Sequence, residues 1–118
     1  MGKVRFIDFV DEFTAEPGGR LMGSLPSGEE FREWILVPAI RSKPSKIVID
    51  FDGTFGILRS FLEEVFGGLT RPYHGEGGHF PARKPFDPHE IANLFVIISE
   101  EDPAIVGLVD KFLKASSE

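Results

Sequence analysis

The chain has 118 residues and no cysteine, with 13 Lys and Arg against 19 Asp and Glu, a formal net charge of −6. That length makes one domain, residues 1–118, and 42% apolar with 27% charged residues is a globular composition. The missing cysteines exclude a disulfide framework, a thiolate metal site and a thiol nucleophile, and the acidic balance argues against nucleic acid.

Val4 to Val10 (VRFIDFV) is β-branched and aromatic and predicts a first strand. Pro17-Gly18-Gly19 marks a turn, and Arg20 to Leu25 follows as a second short strand, which gives a hairpin. Ser27 and Glu30 form an S-x-x-E capping box that opens a helix with Phe31, Trp34 and Ile35 on its apolar stripe. Pro38 should kink or stop that helix. Ile47 to Phe51 is a near-continuous apolar run, as in a strand buried on both faces.

Leu58, Phe61, Leu62, Val65, Phe66 and Leu69 recur at helical spacing, so residues 58–69 predict the clearest helix of the chain. Breakers fill the stretch from Thr70 to Pro88, which reads as a long loop reaching about residue 90. Leu94 to Ile98 is a further buried strand. Asp102 and Pro103 then open a last helix carrying Ile105, Leu108, Val109, Phe112 and Leu113. The order β-β-α-β-α-loop-β-α implies an α/β domain: a mixed, mostly parallel sheet of about four strands with helices packed on it. The longest apolar stretches are far short of the ~20 residues a membrane span needs. No apolar leader follows Met1, so a cytoplasmic location and no membrane contact are expected.

Three groups of residues could carry chemistry. Asp50-Phe51-Asp52-Gly53-Thr54 after a strand resembles the first motif of haloacid-dehalogenase-type phosphatases, where one Asp is the nucleophile, the next a general acid, and Mg2+ bridges them to phosphate. Leu94 to Ser99 is similar to that family's second motif, a strand ending in Ser. The only further acids, Glu100, Glu101 and Asp102, stand on the wrong strand for its metal motif. His74, His79 and His89, with Glu76 and Asp87, fit no rigid ligand spacing, so no metal or other cofactor is expected. Ser60 lies at the start of the best helix, where a phosphate would meet free backbone N–H groups and the positive end of the dipole.

Ile47 to Thr54, followed by Arg59 to Leu69, resembles the STAS-like domain of unknown function family (DUF4325). Pro17 to Arg20 and Ser27 to Phe31 are similar to its N-terminal part, and the resemblance covers most of residues 4–113. STAS domains include bacterial anti-sigma-factor antagonists, small switches that bind a kinase of the histidine-kinase-like ATPase fold. That kinase phosphorylates a Ser at the start of the helix after the central strand, and the complex breaks.

The resemblance therefore implies a non-enzymatic regulatory interaction module with Ser60 as phosphoacceptor. The partner surface it implies comprises Asp52, Gly53, Thr54, Arg59, Ser60 and Phe61. Leu58 and Arg59 stand where the antagonists carry an Asp-Ser pair, and Phe61 replaces a Gly. The alternatives are a minimal Mg2+-dependent phosphatase using Asp50 and Asp52, and a small-ligand sensor with the long loop as its lid.

Overall fold

The computed structural model of the protein describes residues 2–75 and 78–115. Three strands, β1 (Val4–Asp8), β2 (Lys46–Asp50) and β3 (Phe95–Ile98), form one sheet in the order β1-β2-β3, all parallel. Phe6 pairs with Val48, and Val48 with Val96, so a single register runs across all three strands. Helices α1 (Phe9–Glu12), α2 (residues 28–41), α3 (residues 59–67), α4 (Pro88–Ile91) and α5 (Ala104–Ala115) complete the domain. Among the described residues, no helix is long and apolar enough to cross a membrane.

Among the described residues the sheet has three strands rather than about four, and the expected hairpin is absent. Gly23 and Pro26 interrupt any ladder, and Leu21, Met22 and Leu25 show no alternation of burial; all three are exposed. The segment is instead a surface loop pinned at its ends, where Gly18 N–H donates to Pro26 O (2.7 Å) and Gly28 N–H to Gly19 O (2.9 Å). The first strand also stops earlier than its sequence suggests. The Asp8 carboxylate accepts from Asp11 N–H (3.2 Å) and so caps α1, which turns Phe9 into the core.

The capping box forms as expected: Ser27 Oγ accepts from Glu30 N–H, and the Glu30 carboxylate accepts from Ser27 N–H. Pro38 does not end α2. A wider π-type turn over Phe31–Leu36 precedes it, and Val37 N–H bonds to Arg32 O, five residues back. That widening gives the proline ring room beside the preceding turn. It also slips the phase of the helix. Trp34, expected on the buried stripe, is 63% exposed, while Arg32 and Glu33 turn inward.

α3 carries its stripe as read, with Phe61, Leu62, Val65 and Phe66, and Leu69 just beyond its end, fully buried, but Leu58 caps the helix and stays outside. α2 and α3 touch at Gly28, where a Cβ would lie 2.9 Å from Phe61 O and 3.1 Å from Glu64 Cβ. Any larger residue there would push the two helices apart.

Phe9 is the hub of the core. Its ring lies 4.8 Å from Phe31, 4.9 Å from Phe51, 5.5 Å from Phe13 and 5.8 Å from Phe61, mostly edge to face. Phe9→Ala should cost about 3–5 kcal/mol in urea unfolding. Phe55→Ala, at an exposed ring, should stay within about 0.5 kcal/mol of the parent.

Candidate functional site

β2 delivers the chain to a turn held by carboxylates. Asp50 Oδ1 accepts from Asp52 N–H (2.9 Å), and the Asp52 carboxylate accepts from Glu100 N–H (3.1 Å) and Glu101 N–H (2.9 Å). Gly53 N–H in return donates to the Glu101 carboxylate. Gly53 has φ +94°, a left-handed conformation that favours glycine. The D-x-D-G-T motif thus clamps the loop after β2 to the loop after β3. Both Asp52 oxygens receive backbone amides, a structural use of the group that a phosphatase would need as general acid. Ser99, the other phosphatase-like residue, is buried and donates to Asp102 O (2.7 Å).

Beyond the clamp the chain turns outward. Asp52 and Thr54 line a small cleft with Phe55 and Ile57. Phe55 is 83% exposed and Leu58 58%. Across from them stand Leu21 and Leu25 of the surface loop, and the two segments border an open cleft of about 650 Å³. Such a cluster of large apolar side chains in water marks an interaction surface more often than scattered exposed residues do.

Arg59 and Ser60 begin α3 beside this cleft. Ser60 is half-buried and is the second helical residue, not the cap, because Leu58 occupies the cap position without a side-chain hydrogen bond. The Arg59 guanidinium lies 5.2 Å over the Phe112 ring of α5. Phe61 corrects the expected partner surface. It is fully buried among Phe9, Phe13 and Phe31, because its place on the helical stripe turns it to the core. It is not available to a docking partner.

His74, His79 and His89 are exposed, and the Asp87 carboxylate is occupied in capping α4 through His89 N–H (2.9 Å). Glu76 lies outside the described residues. Among the described residues no group of three His, Asp or Glu could hold a metal ion.

The largest polar constellation was not read from the sequence. Glu33 accepts from Arg32 Nε (2.6 Å) and, in a two-pronged contact, from Arg83 Nη2 (2.7 Å) and Nε (2.9 Å). Arg32 Nη1 also donates to the carboxylate and the carbonyl of Glu64, both at 2.6 Å. Both guanidiniums flank the Tyr73 ring, at 5.2 Å and 5.6 Å, and the Tyr73 hydroxyl donates to Glu29 (2.6 Å). Tyr73 and Arg83 exchange backbone hydrogen bonds, so this network ties the long loop to α2 and α3. The one signal was the Arg32-Glu33 pair inside an apolar stretch. A regular helical period would have left it in solvent.

Burial opposes the charge on Arg32, but its hydrogen bonds to Glu33 and Glu64 outweigh that and hold its pKa above the ordinary value. Burial raises the Tyr73 pKa, with the Glu29 hydrogen bond adding to it, so Tyr73 stays a neutral donor. Glu63, nearer the surface, is drawn below the usual carboxylate range by its hydrogen bond to Arg71, against some burial, and then by Arg20.

Residues 27–76 match the family model of a STAS-like domain of unknown function (DUF4325). The STAS-like stretch holds α2, β2, the clamped turn, Ser60 and most of the Arg-Glu network, a narrower span than the sequence resemblance suggested. It suggests a regulatory module, of a type that is typically non-catalytic. No curated protein and no solved structure matches the chain.

Two expectations concern the charges of this domain. Glu33→Ala leaves two buried guanidiniums short of their shared carboxylate, and should cost about 3–5 kcal/mol in denaturant unfolding. For Glu63, a folded pKa below the unfolded one stabilises the fold above the unfolded value and loses that stabilisation as pH falls through the folded one. Glu63→Gln should therefore flatten the decline of melting temperature on acidification below about pH 5 and change its slope little at neutral pH.

Proposed function

We propose that this protein is a non-enzymatic regulatory module that docks a histidine-kinase-like ATPase where α3 begins, and that phosphorylation of Ser60 releases the partner. The observation that carries this is the exposure of Phe55 and Leu58 immediately before Arg59 and Ser60, facing Leu21 and Leu25. An apolar surface of this kind gains free energy by being covered, at roughly 25 cal/mol per Å². A phosphate brings a charge of about −2 to that surface and must be desolvated if a partner is to cover it.

The pairing of the neighbouring carboxylates supports this reading. Glu63 and Glu64, one turn on, would repel a phosphate if they were free, but Glu63 is paired with Arg20 and Arg71, and Glu64 with Arg32. The exposed start of the helix favours an anion by about 0.3–1 kcal/mol. Asp52 and Gly53 anchor the start of the exposed segment through the clamp to Glu100 and Glu101, and Thr54 lines the adjoining cleft with Phe55.

The test pairs thermal melts with a pull-down against a purified ATPase of the histidine-kinase-like fold. Ser60→Ala should bind as the parent does. Ser60→Asp should melt within a few degrees of the parent and bind about tenfold more weakly, equivalent to ~1.4 kcal/mol. Leu58→Asp should weaken binding at least as much, with its melt unchanged. Parent-like binding by both charged variants would remove this surface from the interface.

A further inference from the structure

The strands β1, β2 and β3 are neighbours in chain order and all parallel, so both crossovers step the same way across the sheet. Right-handed connections that step one way lay their helices on one face. The core agrees with this. Ile7, Ile47 and Ile49, with Phe95 and Ile97 partly buried, belong to the cluster that includes the helical residues. Val4, Phe6, Val48, Val96 and Ile98 alternate with them along the strands and do not belong to it.

Among the described residues the opposite face is therefore bare. Phe6, Val48 and Val96 pair in register and make an apolar row across it, and Val4, Phe6 and Val96 are 59%, 52% and 43% exposed. Parallel sheets are normally covered on both faces.

The charges on this face indicate what covers it. Lys46 stands on one side of the row, on β2, and Asp50 stands on the other side of it on the same strand, with Asp8 its register partner. A two-fold axis lying along the row, across the strands, would bring Val48 onto Val48 and Lys46 of each copy onto Asp50 of the other. An axis along the strands would instead oppose Lys46 to Lys46 and Asp50 to Asp50. We infer that the protein forms a two-fold dimer through this bare sheet face, strands antiparallel across the interface, with the apolar row at its centre and Lys46 paired to Asp50. An isologous contact of this kind closes on itself and leaves no further apolar row exposed. None of these residues belongs to the surface proposed for the ATPase, so the two proposals stand or fall separately.

Light scattering and sedimentation across the micromolar range read the oligomeric state, with far-UV circular dichroism as the check on folding. The parent should be a dimer. Val96→Lys, a change at an exposed position, should be a folded monomer, and Lys46→Glu should weaken the dimer at least about tenfold by setting like charges against Asp50. Phe6→Lys serves as a second disruption should Val96→Lys fail to fold. A parent that stays monomeric throughout overturns the proposal and leaves the face to a partner of another kind. A dimer that survives Val96→Lys or Phe6→Lys, or that Lys46→Glu leaves equally tight, overturns it as well.

Discussion

Two guanidiniums, Arg32 and Arg83, converge on one buried carboxylate, Glu33, and the arrangement of the helical layer depends on that convergence. Charges taken out of water are costly unless each finds a partner, and here every member of the set is hydrogen-bonded. Glu33 is shared by the two arginines, while Arg32 reaches on to Glu64 of α3. One contact set therefore fixes the spacing of α2 and α3 and holds Tyr73 and Arg83 of the long loop against them. The net stabilisation from such a network is modest, because desolvation offsets much of the attraction. Its stronger effect is specificity: any other placement of the loop would strand Arg83 away from its carboxylate.

This network also explains where the sequence was legible and where it was not. Ile47 to Phe51 reads as a strand and the α3 stripe as a helix because the hydrophobic pattern fits each element. β2, however, is buried on one face only: Ile47 and Ile49 are in the core, whereas Val48 on the other face is only half-buried. The capping box was readable because Ser27 and Glu30 act locally. α2 misled because its period is not constant. The wide turn over Phe31–Leu36 slips the helix and exchanges Trp34 for Arg32 and Glu33 on the inner side. No pattern rule predicts that exchange, since the inward Glu33 finds its partner fifty residues away in sequence, at Arg83. The hairpin is absent for a local reason: Gly23 within residues 20–25 and Pro26 just after them deny this stretch a ladder.

The candidate site divides the same way. Ser60 and the Asp52-Gly53-Thr54 turn follow from local order, a strand end followed by a helix start, and the structure keeps them together. Analogy with other domains assigns Phe61 to the surface, whereas its own helical period assigns it to the core. Where the two arguments conflicted, the helical stripe was the better guide. Leu58 shows the converse, because it fits the stripe by spacing but lies at the cap, where the chain is still extended and its side chain points outward.

The carboxylate clamp gives the turn a mechanical role. A partner that closes over Phe55 and Leu58 would lose affinity if it had to order a loose loop, since each immobilised residue costs conformational entropy. Here the order is already present. Asp50 folds the turn back on itself, Asp52 grips two amides of the loop after β3, and Glu101 returns a bond to Gly53. Phe55 N–H is further tied to Ala15 O (2.9 Å), which anchors the exposed segment to the chain that leaves α1. The acidic residues that first suggest catalysis in this motif act as hydrogen-bond acceptors for backbone. Their effect is to present an apolar ridge in a fixed conformation beside a serine whose neighbouring carboxylates are already paired.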